Sequence, residues 1–278
     1  MKKNPLVSPV VKWVGGKRQL LQDILKHIPD KYSTYYEPFV GGGAVLFHLQ
    51  PGKMVINDIN EELMNVYNVI CNNVEELIED LKKHKNEADY FYKIRELDRD
   101  REKYAQLNNI ERASRIIYLN KTCYNGLFRV NRQGEFNTPF GRYKNPNIAN
   151  EATLKAVNNY FNKAKITLKC GDFEEAVKGI RKGGFVYFDP PYDPVSESAN
   201  FTGYDKGGFD KDEQIRLKKL CDKLNNRGVK FLLSNSSTEF ILDLYKDYNI
   251  TIVKAKRSIN SKGDGRGDVN EVLVKNYE

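Results

Sequence analysis

The stretch G-F-V-Y-F-D-P-P-Y-D-P, residues 184–194, places a carboxylate at the end of an apolar run. The run 185–188 predicts a buried strand, and Asp189 follows it directly. Two prolines then fix φ and remove two backbone donors, and Tyr192 adds an aromatic ring. A buried carboxylate needs a hydrogen-bonding partner. The stretch is therefore either a site that presents an acceptor beside an aromatic face or an ordinary Asp-Pro turn.

A strand, three glycines and a helix are predicted for Y-E-P-F-V-G-G-G-A-V-L, residues 36–46. Glycines at such a junction let the backbone approach a ligand closely. They do not form G-x-G-x-x-G, so a dinucleotide fingerprint is not met, and a tight turn is the alternative. The next strand ends at Asp58, where doubly wound folds hold ribose hydroxyls; an N-cap is the alternative there. Together the loop and the acid favour a ligand that contains a nucleoside.

Two further positions are candidates for contacts with such a ligand. Asp172 and Phe173 follow another strand, and a carboxylate beside an aromatic ring suits adenine; a helix cap with a core aromatic is the alternative. In K-W-V-G-G-K-R, Trp13 precedes two glycines and Lys17, whose ammonium could meet a ligand carboxylate. A lone tryptophan more commonly anchors a core. The motif G-x-x-x-x-G-K-[ST] is absent, which argues against an NTPase.

The order of the predicted elements indicates an α/β fold. Strand patterns at 35–40 and 53–57 are separated by a helix, and a helical period follows over 58–71. Strand-helix-strand order implies parallel pairing in a sheet covered by helices. Further strand patterns lie at 166–168, 185–188, 229–233, 250–254 and 269–274.

The middle of the chain has a different character. Residues 74–120 are charged and helical, and F-R-V-N-R-Q-G-E-F-N-T-P-F predicts a β-hairpin with Gly134 in its turn. We therefore predict one α/β domain, residues 1–73 and 151–278, interrupted by a mostly helical insert, residues 74–150, that carries the hairpin.

Charge and composition narrow the class of partner. The net charge of +8 favours a polyanion only weakly, but basic and aromatic residues alternate over 120–144. No stretch approaches the roughly 20 apolar residues of a membrane span, and the N-terminus has no apolar segment typical of a signal peptide. We expect a cytoplasmic protein that does not bind membranes. The four cysteines lie far apart with no histidine at ligand spacing, so no metal site is expected.

Taken together, K-W-x-G-G-K, F-V-G-G-G, the strand-terminal Asp58 and D-P-P-Y resemble the Dam family of DNA adenine-N6 methyltransferases. Their order along the chain is that of the alpha class, and the resemblance covers nearly the whole sequence. It implies a Rossmann-like class I methyltransferase sheet and S-adenosylmethionine as the methyl donor, with S-adenosylhomocysteine as the product. The cofactor-binding residues that it implies are Trp13, Gly15, Gly16, Lys17, Glu37, Pro38, Phe39, Gly41, Gly43, Asp58, Asp172, Phe173 and Asp189.

The resemblance also gives D-P-P-Y a chemical role. The amino nitrogen of adenine is a poor nucleophile because its lone pair is delocalised into the ring. Asp189 and the carbonyl of Pro190 would accept its hydrogens and favour a pyramidal nitrogen, with the prolines holding that carbonyl in place. Tyr192 would stack on a base that has left the duplex. The implied catalytic residues are Asp189, Pro190, Pro191 and Tyr192.

In Dam-type enzymes the segment corresponding to 74–150 reads DNA, usually at GATC. Lys12 and Arg129 match the cations that contact the guanines at the two ends of that site. A solvated surface charge is the alternative for any single cation. Leu127 and Pro139 match the contacts around thymine, Tyr124 and Asn125 the residues that fill the gap left by the flipped base, and Asn131, Asn137, Arg142 and Lys144 the phosphate contacts.

The predicted function is methylation of adenine N6 in double-stranded DNA. The alternatives are the same chemistry on cytosine N4 or on RNA, or a non-catalytic DNA-binding protein; N4 enzymes usually begin the motif with Ser, and the intact D-P-P-Y disfavours a lapsed enzyme. A housekeeping role and a partnership with a cognate restriction endonuclease both remain open. We expect a monomer or weak dimer, and segment 193–208 is a candidate for a loop that closes only on DNA.

Overall fold

The central element of the described structure is one mixed β-sheet. The computed structural model describes residues 3–13, 15, 20–195, 208–256 and 268–278. Within these ranges, seven strands form one sheet in the order β3-β2-β1-β4-β5-β7-β6. The first five in this order are parallel to one another, and β7 is antiparallel to both β5 and β6. The strands are β1 (Thr34–Glu37), β2 (Lys53–Asp58), β3 (Lys165–Cys170), β4 (Gly184–Phe188), β5 (Lys230–Ser236), β6 (Asn249–Lys256) and β7 (Asp268–Lys275).

Helices connect the parallel strands and cover the sheet, so the predicted Rossmann-like α/β fold is confirmed. All five residues of β4 are buried, as its continuous apolar run predicts for a strand covered on both faces. The helices are α1 (Leu21–Lys26), α2 (Ala44–Leu49), α3 (Glu61–Asn72), α4 (Val74–Lys82), α5 (Ala88–Arg95), α6 (Arg101–Gln106), α7 (Asn109–Thr122), α8 (Glu151–Lys163), α9 (Phe173–Ala176), α10 (Lys211–Asn226) and α11 (Glu239–Leu244), with 3-10 turns at Glu96–Arg99 and Tyr124–Gly126.

Helix α3 begins two residues later than an N-cap at Asp58 would require. The side chain of Asn60 accepts from the backbone N–H of Leu63 at 2.9 Å and is the cap. The cap interpretation of Asp58 is therefore wrong, and its carboxylate is engaged elsewhere. Strand β1 is also shorter than the predicted 35–40, because the chain turns at Pro38.

Residues 74–150 contribute helices α4 to α7 and none of the seven strands. Helix α7 packs against α3 and α4, and the buried side chains of this segment belong to the same apolar cluster as those of α3 and α8. The division into a catalytic domain and an insert at 73/74 and 150/151 stays a prediction.

The predicted hairpin is present, but it is irregular. Val130 pairs with Phe136, and Cys123 pairs with Phe140, as isolated bridges rather than as two regular strands. At its tip the side chain of Asn131 accepts from the backbone N–H groups of Gln133 and Glu135, both at 3.0 Å. A side chain that satisfies turn donors in this way replaces ladder hydrogen bonds.

The strand order reverses beside β1, which lies between β2 and β4. In open parallel sheets the crevice at such a switch point, beyond the carboxyl ends of the strands, is where ligands bind. Glu37 ends β1, Asp58 ends β2 and Asp189 follows β4, so three acidic residues lie at this edge.

Candidate active site

The glycine loop between β1 and α2 is tied to the end of β2. The backbone N–H of Gly41 donates to Asp58 Oδ2 at 2.9 Å, and the other carboxylate oxygen accepts from Asn60 N at 3.0 Å. The side-chain amide of Asn57 donates to the carbonyls of Pro38, at 3.0 Å, and Gly171, at 2.9 Å. These bonds hold the ends of three strands and the loop in one fixed arrangement.

Two of the loop glycines are required by close packing. Gly43 has a φ of 70°, and a Cβ on it would lie 2.8 Å from the ring of Phe47. Gly41 has a φ of 46°, and its Cβ would lie 3.1 Å from Cδ1 of Trp13. The structure thus brings Trp13 against the loop, and a shared role of the two in one pocket stays a prediction.

Glu37 is a buried acid, with only 2% of its surface exposed. Its Oε2 accepts from the hydroxyl of Tyr35 at 2.8 Å. Burial raises the pKa of Glu37 well above its usual value, and the negative charges of Asp189 and Asp58 act in the same direction. Among the described residues no Lys or Arg forms an ion pair with Glu37.

Asp189 is oriented from the neighbouring strand β5. The hydroxyl of Ser234 donates to Asp189 Oδ1 at 2.8 Å and lies 3.0 Å from the hydroxyl of Tyr187. Burial raises the pKa of Tyr187, and the charge of Asp189 adds to this effect, so the phenol stays neutral. The ordinary turn interpretation leaves this pair of hydroxyls beside the carboxylate unexplained.

The residues after Asp189 are also anchored from outside the motif. Gln214 on α10 donates to the carbonyl of Pro191 at 2.9 Å, and the hydroxyl of Tyr192 donates to Glu271 on β7 at 2.7 Å. The backbone N–H of Asp193 donates to Asn235 at 3.1 Å. Three elements, β5, α10 and β7, therefore determine the shape of this turn together with the prolines.

The structure gives Asp172 and Phe173 local roles at the same edge. Asp172 caps α9, accepting from Glu174 N at 2.8 Å, and its other oxygen bonds Arg216. Phe173 is 4% exposed and lies 5.3 Å from the ring of Phe39. These are the contacts of the cap-and-core alternative, and a contact with adenine stays a prediction for both residues.

Comparison with known proteins decides the family. The sequence matches the D12 class of N6 adenine-specific DNA methyltransferases over residues 13–259. The chain belongs to this family. It is therefore an adenine-specific DNA methyltransferase, which confirms the resemblance.

The similarity to individual methyltransferases covers at least 96% of this chain and of each relative named here. Identity is 44% with the type II methyltransferase M1.LlaDCHI of Lactococcus lactis subsp. cremoris, covering 100% of this chain and 98% of that protein. It is 45% with the type II methyltransferase M.MjaIII of Methanocaldococcus jannaschii, covering 98% and 99%. It is 36% with the DNA adenine methylase of Escherichia coli K12, covering 99% and 96%.

In this methyltransferase, Lys12 is attached to the insert through its backbone. Asn120, which is buried on α7, accepts from Lys12 N at 2.8 Å and donates to Lys12 O at 2.7 Å and to Gly126 O at 3.1 Å. The aliphatic stem of Lys12 runs along Gly126, where a Cβ would lie 2.7 Å from Lys12 Cδ. The two segments predicted to read guanines are thus fixed to each other.

Arg129 is held across the hairpin. Its Nε donates to Asn137 Oδ1 at 2.7 Å, and Asn137 N donates to Arg129 O at 2.9 Å. Asn137 and Asn131 form hydrogen bonds within the hairpin. The phosphate contacts predicted for them stay predictions, and each would require the side chain to bond the hairpin and a phosphate at the same time.

Tyr124 and Asn125, which are predicted to fill the gap left by the flipped base, are exposed to solvent. Tyr124 is 58% exposed, Asn125 has a φ of 57°, and both lie in the 3-10 turn after α7. Tyr124 N donates to Pro139 O at 2.8 Å, which sets the turn beside the hairpin. Arg142 and Lys144 are exposed as well. The roles predicted for these residues on DNA are not decided by the fold alone.

Several residues of this site were not identified from the sequence. They come from elements remote from D-P-P-Y, although S-N-S directly after the apolar F-L-L of β5 is a signal of the same kind as Asp189 after β4. The residues missed are Asn57, Asn120, Tyr187, Gln214, Ser234, Asn235 and Glu271. Of the predicted residues, Gly16 and Lys17 lie outside the described residues, as does most of the 193–208 segment.

The structure also bears on membrane spans and metal sites. In the part of the chain that the structure describes, no helix is long and apolar enough to cross a bilayer. The same residues contain no group of three or more His, Cys, Asp or Glu side chains placed to hold a metal ion.

Proposed function

We propose that this enzyme transfers the methyl group of S-adenosylmethionine to N6 of adenine in double-stranded DNA, at GATC, after the base has left the helix. The observation that carries the proposal is the convergence of Glu37, Asp58 and Asp189 at the carboxyl ends of β1, β2 and β4. All three lie at the switch point of the sheet, next to the glycine loop.

The residues at this edge fit the cofactor. When bound, S-adenosylmethionine supplies a methyl group on a sulfonium that is already an activated leaving group. Glu37, whose pKa burial raises, would be favoured in its charged form by a cationic ligand. We assign the ribose to Asp58, the adenine to Asp172 with Phe173, and the remainder of the pocket to the loop from Pro38 to Gly43 and to the Trp13 segment.

The catalytic turn would act on the target amino group. Asp189, oriented by Ser234, accepts one of its hydrogens, and the carbonyl of Pro190 accepts the other. These acceptors favour the pyramidal nitrogen whose lone pair is needed for in-line displacement. Once the nitrogen has formed its new bond, the proton that it loses passes to Asp189. Tyr192 supplies the face on which the extruded base stacks.

Recognition of GATC is assigned to the insert and the Lys12 segment. Lys12 and Arg129 would contact the two outer guanines, Leu127 and Pro139 the thymine, and Tyr124 with Asn125 the space left by the adenine. The support is the close attachment of the Lys12 backbone to the 3-10 turn through Asn120. Because chromosomal DNA is the proposed substrate, we place the enzyme in the cytoplasm with the chromosome.

Transfer of a tritiated methyl group to GATC and scrambled duplexes, followed by nucleoside analysis, tests the proposal. We expect label in N6-methyladenine from the GATC duplex alone. Label in N4-methylcytosine would reject the base assignment, and equal labelling of both duplexes would reject GATC. The relatives' names include type II methyltransferases and a DNA adenine methylase. A restriction endonuclease gene beside this one would favour a restriction-modification role, and its absence a housekeeping role.

A further inference from the structure

The turn that follows β4 is short of backbone hydrogen-bond donors. Pro190 and Pro191 have no N–H, so neither residue can donate a backbone hydrogen bond to the rest of the protein. The turn is therefore held through its carbonyls and through the N–H groups that follow Pro191. Gln214 supplies a donor to the carbonyl of Pro191 at 2.9 Å, and Asn235 accepts from Asp193 N at 3.1 Å.

Gln214 and Asn235 are also bonded to each other. Asn235 Nδ2 donates to Gln214 Oε1 at 3.0 Å, and both side chains are 0% exposed. Buried carboxamides are costly unless each polar atom has a partner. Here two of the partners, Pro191 O and Asp193 N, belong to one turn, so each member of the pair directs a hydrogen bond to the residues that follow Asp189.

Backbone donors fix the orientation of the Asn235 amide, and that amide in turn fixes the orientation of Gln214. Asn235 Oδ1 accepts from Asp193 N and, at 2.8 Å, from Ser236 N, so Nδ2 of Asn235 faces Gln214. Gln214 must then present Oε1 to Asn235, and its Nε2 is left to donate to Pro191 O. Reversal of either amide would oppose two acceptors or two donors.

We propose that Gln214 and Asn235 are positioning residues that hold the Pro190 carbonyl where it meets the amino group of the target adenine. The inference rests on the function proposed above. Ser234 fixes Asp189 on one side of Pro190, and Gln214 fixes Pro191 on the other, so the peptide between them has little freedom. A misplacement of about 1 Å at a reacting group can lower a rate about 100-fold.

Gln214→Glu provides a direct test of this role. As a neutral acid, the new side chain donates to Pro191 O and accepts from Asn235 Nδ2, as Gln214 does. As a carboxylate, it opposes the carbonyl of Pro191. Among the described residues, the other titratable groups around the turn include Asp189, Asp193 and Glu271, the phenols of Tyr187 and Tyr192, and Asp210 at the start of α10, and all are present in the wild type.

The ratio of kcat for Q214E to kcat for the wild type is measured from pH 5.5 to 9 on the GATC duplex. We expect it to fall by about 10- to 100-fold at high pH and to recover as the pH is lowered. Asn235→Asp keeps the hydrogen bonds that Oδ1 accepts from Asp193 N and Ser236 N. As a carboxylate it loses the donor to Gln214, and as a neutral acid it regains that donor, so we expect a loss of similar size at high pH that also recovers as the pH is lowered. For both variants, KM for DNA and Kd for S-adenosylhomocysteine should stay within about threefold of the wild type.

Asn276→Asp is the matched control. Asn276 accepts from Phe231 N and donates to Val229 O, both at 2.9 Å, at the opposite end of β5. It should lower the melting temperature about as much as N235D without changing kcat. A wild-type kcat in Q214E and N235D, a loss in Q214E that does not depend on pH, or an equal kcat loss in N276D would overturn the inference. A wild-type enzyme that does not methylate adenine would instead reject the proposed function.

Discussion

The indole of Trp13 stacks on the ring of Phe128, with ring centroids 4.3 Å apart and planes inclined by 20°. Trp13 also packs on Gly41 of the glycine loop, and Phe128 lies in the hairpin beside Arg129. One aromatic pair therefore joins the proposed cofactor pocket to the proposed recognition surface. A hydrophobic contact of this kind transmits strain because packed side chains have few alternative arrangements.

Phe128→Leu should weaken cofactor binding although residue 128 lies outside the proposed pocket. The change keeps a similar volume but removes a stacked pair, a contribution of about 0.5–1.5 kcal/mol. We expect Kd for S-adenosylhomocysteine, measured by calorimetry, to rise by up to about tenfold. Phe91→Leu, in the same insert but in edge-on and tilted contact with other rings, is the control and should leave Kd unchanged. Equal effects of the two changes would contradict a specific link through Trp13.

Asp189→Ala should abolish methyl transfer while duplex binding stays within a few-fold, because the proposed mechanism places the carboxylate on the reacting amino group and not on the phosphates. Ser234→Ala removes the donor to Asp189 Oδ1, and we expect a partial loss of kcat of about tenfold. Single-turnover rates measure the loss of methyl transfer in each variant, and DNA affinity measured in parallel shows whether duplex binding has changed. Normal turnover in D189A would eliminate the assigned role.

Arg129→Ala should relax discrimination at one outer guanine by about 1–3 kcal/mol. Asn137→Ala removes the acceptor for Arg129 Nε and should relax discrimination at the same base pair to a smaller extent, because the guanidinium loses its fixed orientation. Competition between GATC and singly substituted duplexes measures both. Lys144→Ala is the control for a phosphate contact and should weaken all duplexes alike. A uniform loss in R129A would make that residue a phosphate contact too.

Tyr192 and Glu271 should act as one unit. Tyr192→Phe removes the hydrogen bond of 2.7 Å between the hydroxyl and the carboxylate, and Glu271→Gln weakens it by replacing the charged acceptor with a neutral amide oxygen. If that bond orients the stacking face, E271Q has little further effect on kcat in a Y192F background. A duplex with 2-aminopurine at the target position reports stacking of the extruded base through its fluorescence. Fully additive losses would show that Glu271 works through another group.

The pH dependence of stability should include a contribution from His84. Its ring stacks on Tyr118 at 4.3 Å and lies 3.0 Å from Ser114 Oγ, and burial lowers the pKa of His84 from 6.5 to about 4. The unfolded chain therefore binds a proton at a higher pH than the folded one. The stabilising contribution is complete above pH 6.5 and is lost as the pH falls towards 4.

Denaturant unfolding at pH 7.5 and pH 5 measures this contribution. Over that range the unfolding free energy of the wild type should fall by about 1–2 kcal/mol more than that of His84→Gln. This value is smaller than the full pKa shift implies because the ring is partly exposed to solvent. His48→Gln, in α2, is the control: burial lowers the pKa of His48 as well, but by less than that of His84, so this variant should stay closer to the wild type than H84Q does. Parallel curves for H84Q and the wild type would refute the assignment.

The local motifs could be predicted because their signals are contained in short stretches of chain. An apolar run followed by Asp189 predicts a buried strand with a polar end, and the three glycines after β1 predict a close turn. The α/β order followed from the alternation of strand and helix periods. The hairpin around Gly134 was likewise visible, although its pairing is looser than two strands would give.

What only the tertiary structure decided is which groups meet. Asp58 bonds Gly41 and leaves the helix cap to Asn60, because the loop after β1 lies beside the end of β2. The partners of the catalytic turn, Ser234 on Asp189 and Gln214 on Pro191, come from β5 and α10. Such contacts depend on strand order and helix packing, and no periodicity in a single stretch of sequence encodes them. The sequence by itself determined the acids and the turn, whereas the fold determined their hydrogen-bonding partners.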